Sequence, residues 1–189
     1  ALIIIAIISW IEFYALISKI FRKNLINDKF LRFLYKTLSL FYLSGIVYLI
    51  LAIVSHYVNL KIYLLYSILV AIMSDLGGLV FGKILKGKKL TTISPNKTIS
   101  GSIGSFIFSI LLIPFFYEEQ INENLFNMTI ITIIISLTSQ LGDLFISFLK
   151  RKAQVKDTSD ILPGHGGVLD RIDGIIFAIP LGIYLFIII

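Results

Sequence analysis

Between Ser147 and Asp173 the chain reads SFLKRKAQVKDTSDILPGHGGVLDRID, a segment holding five basic residues, four carboxylates and one histidine. Lys150, Arg151, Lys156 and Arg171 are cations of the kind that bind phosphate, and Asp157, Asp170 and Asp173 are hard oxygen donors of the kind Mg²⁺ requires. Together they suit an anionic substrate bridged to protein by a metal. The run Pro163, Gly164, His165, Gly166, Gly167 cannot be a helix interior, because proline lacks an N–H and glycine loses the most backbone freedom there. A tight loop is expected, with backbone that can approach a ligand closely. Asp170 and Asp173 stand three apart at the start of the last apolar run, so a helix would carry both carboxylates on one face, about one turn apart. Two acids so close repel unless a cation lies between them. A single acid there would need no more than the helix dipole.

The elements that must position these groups are apolar. Hydrophobic residues make up 57% of the chain and charged ones 15%, with a mean hydropathy of +0.94, well above the ~45–50% apolar content of ordinary soluble domains. The fold class is therefore all-α, a polytopic transmembrane helix bundle. A bilayer core needs about 20 apolar residues per helix, and six segments approach that length: 1–20, 34–54, 62–81, 99–117, 125–148 and 174–189. The runs are continuous rather than alternating, which indicates helices and not barrel strands. One membrane-embedded catalytic domain, 1–189, is expected, with the loop 147–173 between its last two spans. Because the chain opens at Ala1 inside an apolar run, one or more preceding helices are also expected.

There is no cysteine, so disulfides and thiolate metal sites are excluded. The net charge of +6 does not imply nucleic acid, because the charges are confined to particular loops. Of 17 basic residues, six fall between Lys19 and Lys36, five between Lys83 and Lys97, and five between Lys150 and Arg171. The positive-inside rule puts these three loops in the cytoplasm. Asp75, Asp143, Asp170 and Asp173 then lie at a similar depth near the inner headgroups. Acids within a span are costly and face the bundle interior or a wet cavity, so a shared metal and phosphate site is expected. Arg22, Lys23, Lys29, Arg32 and Lys36 have no partner acids at motif spacing and read as orientation determinants and anionic-lipid contacts. Gly82-x4-Gly87-Lys88 imitates a P-loop, but Lys89 replaces the Ser/Thr that would hold Mg²⁺.

The pattern Ser147-x2-Lys150-Arg151-x4-Lys156-Asp157-x-Ser159-x2-Leu162-Pro163-x-His165-Gly166-Gly167-x2-Asp170-Arg171-x-Asp173 resembles, without departure, the signature of the phosphatidate cytidylyltransferases, or CDP-diacylglycerol synthases. It covers about a seventh of the chain. Gly142-Asp143 matches the Gly-Asp that precedes this signature. The stretch from Asp75 to Lys83 is similar to another family motif, with Gly78 where alanine is usual and Leu79 where tyrosine is usual. Ser94-Pro95-Asn96-Lys97-Thr98 is similar to a third, with Ser100 in place of a glutamate. Ser94, Lys97 and Thr98 stand at the start of a span, where free amides, hydroxyls and a lysine make an anion site. The same residues also read as a helix cap followed by a small-residue packing face through Gly101 and Gly104.

The resemblance implies transfer of a cytidylyl group from CTP to phosphatidic acid, giving CDP-diacylglycerol and pyrophosphate, in a multi-pass inner (cytoplasmic) membrane protein with its site facing the cytoplasm. Mg²⁺ would be held by Asp143, Asp170 and Asp173, with Asp75 a further ligand. Asp157 would bind a second cation or orient Lys156. Lys150, Arg151, Lys156 and Arg171 would neutralise the two anions, and Gly166 and Gly167 would let backbone approach them. His165 would bind phosphate or protonate the leaving group. A homodimer is compatible with the resemblance. A CTP-dependent lipid kinase, or a synthase acting on another lipid phosphate, would share this logic. A cation transporter would instead place its acids near mid-bilayer in inverted repeats, and a CDP-alcohol phosphotransferase motif is absent.

Overall fold

The computed structural model describes residues 1–21, 26–117, 121, 124–164 and 166–189. Eight α-helices form among them: α1 Leu2–Ile20, α2 Ile26–His56, α3 Lys61–Leu85, α4 Ile99–Ile110, α5 Ile113–Phe116, α6 Leu125–Lys152, α7 Leu169–Ile172 and α8 Ile175–Ile188. Six of the resulting stretches are long and apolar enough to cross a membrane, α4–α5 and α7–α8 each counting as one. No strand forms among the described residues, only isolated bridges such as Lys89 with Thr98.

Helices α3 and α6 run four residues past their apolar runs, to Leu85 and Lys152, and two boundaries differ more. Helix α2 begins at Ile26, eight residues before the run at Leu34, because Asn27, Asp28, Lys29 and Arg32 break the apolar run without breaking the helix. The last span is broken at Asp173 and Gly174, between α7 and α8. A Cβ at Gly174 would lie 2.9 Å from the Ser139 carbonyl oxygen, so this junction passes against α6 with room only for glycine.

Helix α3 packs against α4, α6 and α8, while α1 packs against α2, α6 and α7. The contact of α3 with α4 is backbone to backbone. Gly77 and Gly104 face each other so closely that a Cβ on either would penetrate the other helix, and a Cβ at Gly101 would lie 2.8 Å from the Gly78 carbonyl oxygen. Without water to drive burial, such close approach supplies the van der Waals contact that joins helices in lipid. The small-residue face through Gly101 and Gly104 is therefore used as a packing face. Polar side chains add cross-links where hydrocarbon offers no alternative partner: Tyr66 to Thr132 at 2.6 Å, Ser136 to Ser74 at 3.0 Å and Ser102 to Gln140 at 2.6 Å.

Under the segment 153–168, Leu16 of α1, Ile46 of α2, Ile146 and Leu149 of α6, Leu169 of α7 and Ile176 of α8 form one buried cluster. It fixes the platform on which the charged loop rests.

Candidate active site

Helix α6 carries Asp143 and, two turns further, Lys150 and Arg151. Asp143 pairs with Lys97 through Oδ2, and Ser147 Oγ donates to its other oxygen at 3.3 Å. Lys97 stands just before Thr98, the N-cap of α4, whose Oγ1 accepts the Gly101 amide at 3.0 Å. Thr98 also shares a hydrogen bond of 3.0 Å with Ser100 Oγ, which accepts the Gly87 amide at 3.2 Å. Thr98 and Ser100 therefore cap and tie the chain entering α4, while Lys97 alone reaches the acids. The Ser94 carbonyl accepts the Lys97 amide at 3.1 Å, closing a turn around Pro95 and Asn96.

The third acid arrives from α8's side of the bundle. A Cβ at Gly142 would lie 2.9 Å from the Asp173 carbonyl oxygen, so glycine beside Asp143 is what lets Asp173 approach α6. Asp173 is 7% exposed and lies within electrostatic range of both Asp143 and Asp75, while Asp75 on α3 is in range of Asp143 and Lys97. Three carboxylates from three helices thus share one neighbourhood. Ser139, one turn before Asp143, has a fully buried hydroxyl with no hydrogen-bond partner among the described residues.

Asp170 faces elsewhere. Its carboxylate accepts Lys150 Nζ at 2.7 Å, the Thr158 amide at 2.9 Å, Thr158 Oγ1 at 3.0 Å and the Gly167 amide at 2.9 Å. Asp173 and Gly174 keep right-handed helical dihedrals, so Asp170 and Asp173 stand about one turn apart, and their partners differ because the loop meets the first while α3 and α6 meet the second. Asp170 braces the loop; Asp173 joins the acids of α3 and α6.

Glu12 was not singled out by motif spacing, yet it is the other brace. It is 2% exposed. Its carboxylate accepts Thr158 Oγ1 at 2.9 Å, Ser159 Oγ at 2.6 Å, the Val168 amide at 3.0 Å and the Leu169 amide at 2.7 Å. The available signal was an acid alone within the apolar run 1–20, the same anomaly that marks Asp75 and Asp143. Gly167 passes so near both braces that a Cβ would overlap Thr158 Oγ1 and lie 2.6 Å from Glu12 Oε2. Gly166 has φ +79°, where L side chains are strained, and its Cβ position lies 2.8 Å from Asp170 Oδ2. Both glycines serve the fold of the loop itself.

That loop borders an open cavity of about 290 Å³ lined by Lys156, Asp157, Asp160, Leu162, Pro163, Gly164, Gly166 and Arg171. Arg151 lies outside the cavity lining and ties loops together, its Nε donating to the Ile93 carbonyl and Nη1 to the Val155 carbonyl, both at 3.4 Å. His165 falls outside the described residues.

Among the described residues no three carboxylate or imidazole groups converge closely enough to enclose an ion by themselves. A divalent cation nonetheless fits the donor set. Mg²⁺ is usually held by one or two carboxylates plus substrate phosphates, not by an all-protein cage. Asp75, Asp143 and Asp173 supply three carboxylates against the ammoniums of Lys97 and, beside Asp173, Lys150, next to a buried Ser139 hydroxyl that has no partner among the described residues.

Fold and site together define a polytopic helical membrane protein that gathers acids and cations from distant helices beside a braced, glycine-rich loop. The chain belongs to the cytidylyltransferase family, whose model it matches from residue 2 to residue 189. It is 46% identical over 121 residues to a phosphatidate cytidylyltransferase of Staphylococcus haemolyticus, a match covering 63% of this chain and 46% of that relative. It is also 46% identical over 122 residues to the protein of that name from Staphylococcus aureus (strain COL) and 42% identical over 122 residues to that of Staphylococcus epidermidis, with the same coverage. The chain spans about half the length of the curated relatives it matches.

Proposed function

We propose that this protein transfers the cytidylyl group of CTP to phosphatidic acid, forming CDP-diacylglycerol and pyrophosphate at the cytoplasmic face of the membrane. The observation that carries the reading is the convergence of Asp75, Asp143 and Asp173 with Lys97, next to a loop whose cavity presents Lys156 and Arg171. The family membership and the names of the staphylococcal relatives support the choice of substrates.

In the reaction an oxygen of the lipid phosphate attacks the α-phosphorus of CTP, and the bond from that phosphorus to the bridging oxygen of the β-phosphate breaks, releasing pyrophosphate. A phosphate monoester is largely ionised near neutrality, so no strong base is needed. Lys156 and Arg171 lower the repulsion between the two anions, and positioning with electrostatics supplies most of the rate. Lys150 holds Asp170 and thereby the loop; Lys97 keeps Asp143 paired until substrate arrives. Carboxylates from among Asp75, Asp143 and Asp173 would hold Mg²⁺ together with substrate phosphates, and the ion would offset charge on the triphosphate. Asp170, already carrying four donors, is left as the brace.

The test is reconstitution in phosphatidic-acid liposomes with CTP labelled at the α-phosphorus. Label should appear in CDP-diacylglycerol, with pyrophosphate released in equal amount, and should vanish in Asp143→Asn. Label remaining in soluble CDP, with a newly phosphorylated lipid, would assign a CTP-dependent kinase instead.

A further inference from the structure

Part of the first basic cluster takes no share in this site. On α2, Lys29, Arg32 and Lys36 are spaced three and four residues apart, so they share one face. That face meets Trp10 and Tyr14 of α1, and with Phe33, Thr37 and Leu40 these residues line a cavity of about 400 Å³. Lys36 Nζ lies 3.2 Å from the centre of the Tyr14 ring, and Trp10 Nε1 donates to the Lys36 carbonyl at 3.4 Å. The groove wall is thereby held in place. Among the described residues none of the three cations is paired with a carboxylate, and Asp28, beside Lys29 in sequence, is not in the lining. Three uncompensated positive charges between two helices attract an anion.

The position selects which anion. Helix α2 has 31 residues, about 46 Å at 1.5 Å per residue, against a hydrocarbon core of ~30 Å. Its surplus length is the basic end, Ile26–Lys36, which reaches headgroup level, while Leu40 continues into the apolar part. Trp10 and Tyr14 bracket Glu12, whose bonds to Thr158 and Leu169 set this part of α1 at the level of the charged loop. Cations above, an aromatic wall and apolar side chains below match a phosphate ester carrying acyl chains. Glu12, two residues from both Trp10 and Tyr14, projects about 200° away around α1 and grips the reaction-site loop. The groove therefore lies on the opposite side of α1 from that loop.

We propose that the α1–α2 groove binds the phosphate headgroup of an anionic membrane phospholipid, at a site separate from the reaction centre. The inference does not depend on the assignment of cytidylyl transfer. The test uses the protein in phosphatidylcholine nanodiscs containing a minor fraction of phosphatidylglycerol, with retained lipids counted by native mass spectrometry. Wild type should retain phosphatidylglycerol over phosphatidylcholine by on the order of tenfold, and Arg32→Gln/Lys36→Gln should lose the preference. Asp143→Asn should keep it, and inorganic phosphate should not displace the lipid. Undiminished preference in the double variant, its loss in Asp143→Asn, or displacement by inorganic phosphate would each overturn the proposal. If the double variant fails to fold, wild type decides alone: equal retention of both lipids overturns it, and tenfold selectivity resistant to phosphate but lost on charge-neutralising acetylation of lysines sustains it.

Discussion

Glu12 on the first helix and Thr158 in the charged loop, 146 residues apart in sequence, are joined by a hydrogen bond of 2.9 Å. The Glu12 carboxylate also accepts Ser159 Oγ and the amides of Val168 and Leu169, so it grips the loop on both sides of its glycine turn. Glu12→Gln keeps the shape but turns one acceptor into a donor that faces donors. Hydrogen bonds to charged groups are worth about 1.5–3 kcal/mol, so turnover should fall by roughly tenfold to a hundredfold while the helices stay folded. Limited proteolysis should cut within 158–169 faster than in wild type. A normal rate with unchanged protease resistance would show that the clamp is dispensable.

Pro180 lies inside α8 and cannot donate to the carbonyl of Ile176, one turn before it. Tyr42 of α2 donates its hydroxyl to that carbonyl at 3.0 Å, supplying the missing bond from a neighbouring helix. Tyr42→Phe should therefore cost about 0.5–1.5 kcal/mol in detergent-micelle unfolding. In a Pro180→Ala background, where residue 180 regains its N–H, the same substitution should cost almost nothing. Equal costs in both backgrounds would mean that the hydroxyl does not compensate for the proline.

The glycines of the α3–α4 contact predict a contrast. Gly104→Ala drives a methyl into Phe81 and to 2.7 Å from the Gly77 carbonyl oxygen, whereas Gly45→Ala meets nothing within 4 Å. Overpacking of this kind costs typically ~1–3 kcal/mol, and Asp75 and Lys97 flank the same contact, so Gly104→Ala should lower both thermal stability and turnover. Gly45→Ala should leave turnover unchanged and raise stability slightly, by up to about 1 kcal/mol. Identical melting behaviour of the two variants would rule out the close backbone packing.

Chelation with EDTA should abolish cytidylyl transfer and added Mg²⁺ should restore it, if the three acids share a cation. Asp173→Asn removes one of three negative charges without changing volume. The Mg²⁺ concentration for half-maximal activity should then rise more than about tenfold. Asp170→Asn, by contrast, should lower turnover through the loop with little change in that concentration. A Mg²⁺ dependence shifted equally by both substitutions would break the division of labour between these aspartates.

What the sequence by itself determined was set by local rules. A bilayer demands about 20 apolar residues per crossing, so the six spans were legible in composition, and the density of charge at 147–173 marked the loop that hydrocarbon could not hold. The start of α2 and the α7–α8 junction were not legible there, since helix continues where polar side chains are tolerated and the close pass of Gly174 against α6 is a tertiary contact. Tertiary structure alone decided what each acid does. Asp170 and Asp173, three residues apart and chemically identical, differ because one accepts Lys150 Nζ and two loop amides while the other, also in range of Lys150, lies beside Asp75 and Asp143. Glu12 acquires its partners from residues 146 to 157 positions away. A carboxylate's role is set by the donors and charges around it, and those arrive from parts of the chain that spacing along the sequence does not bring together.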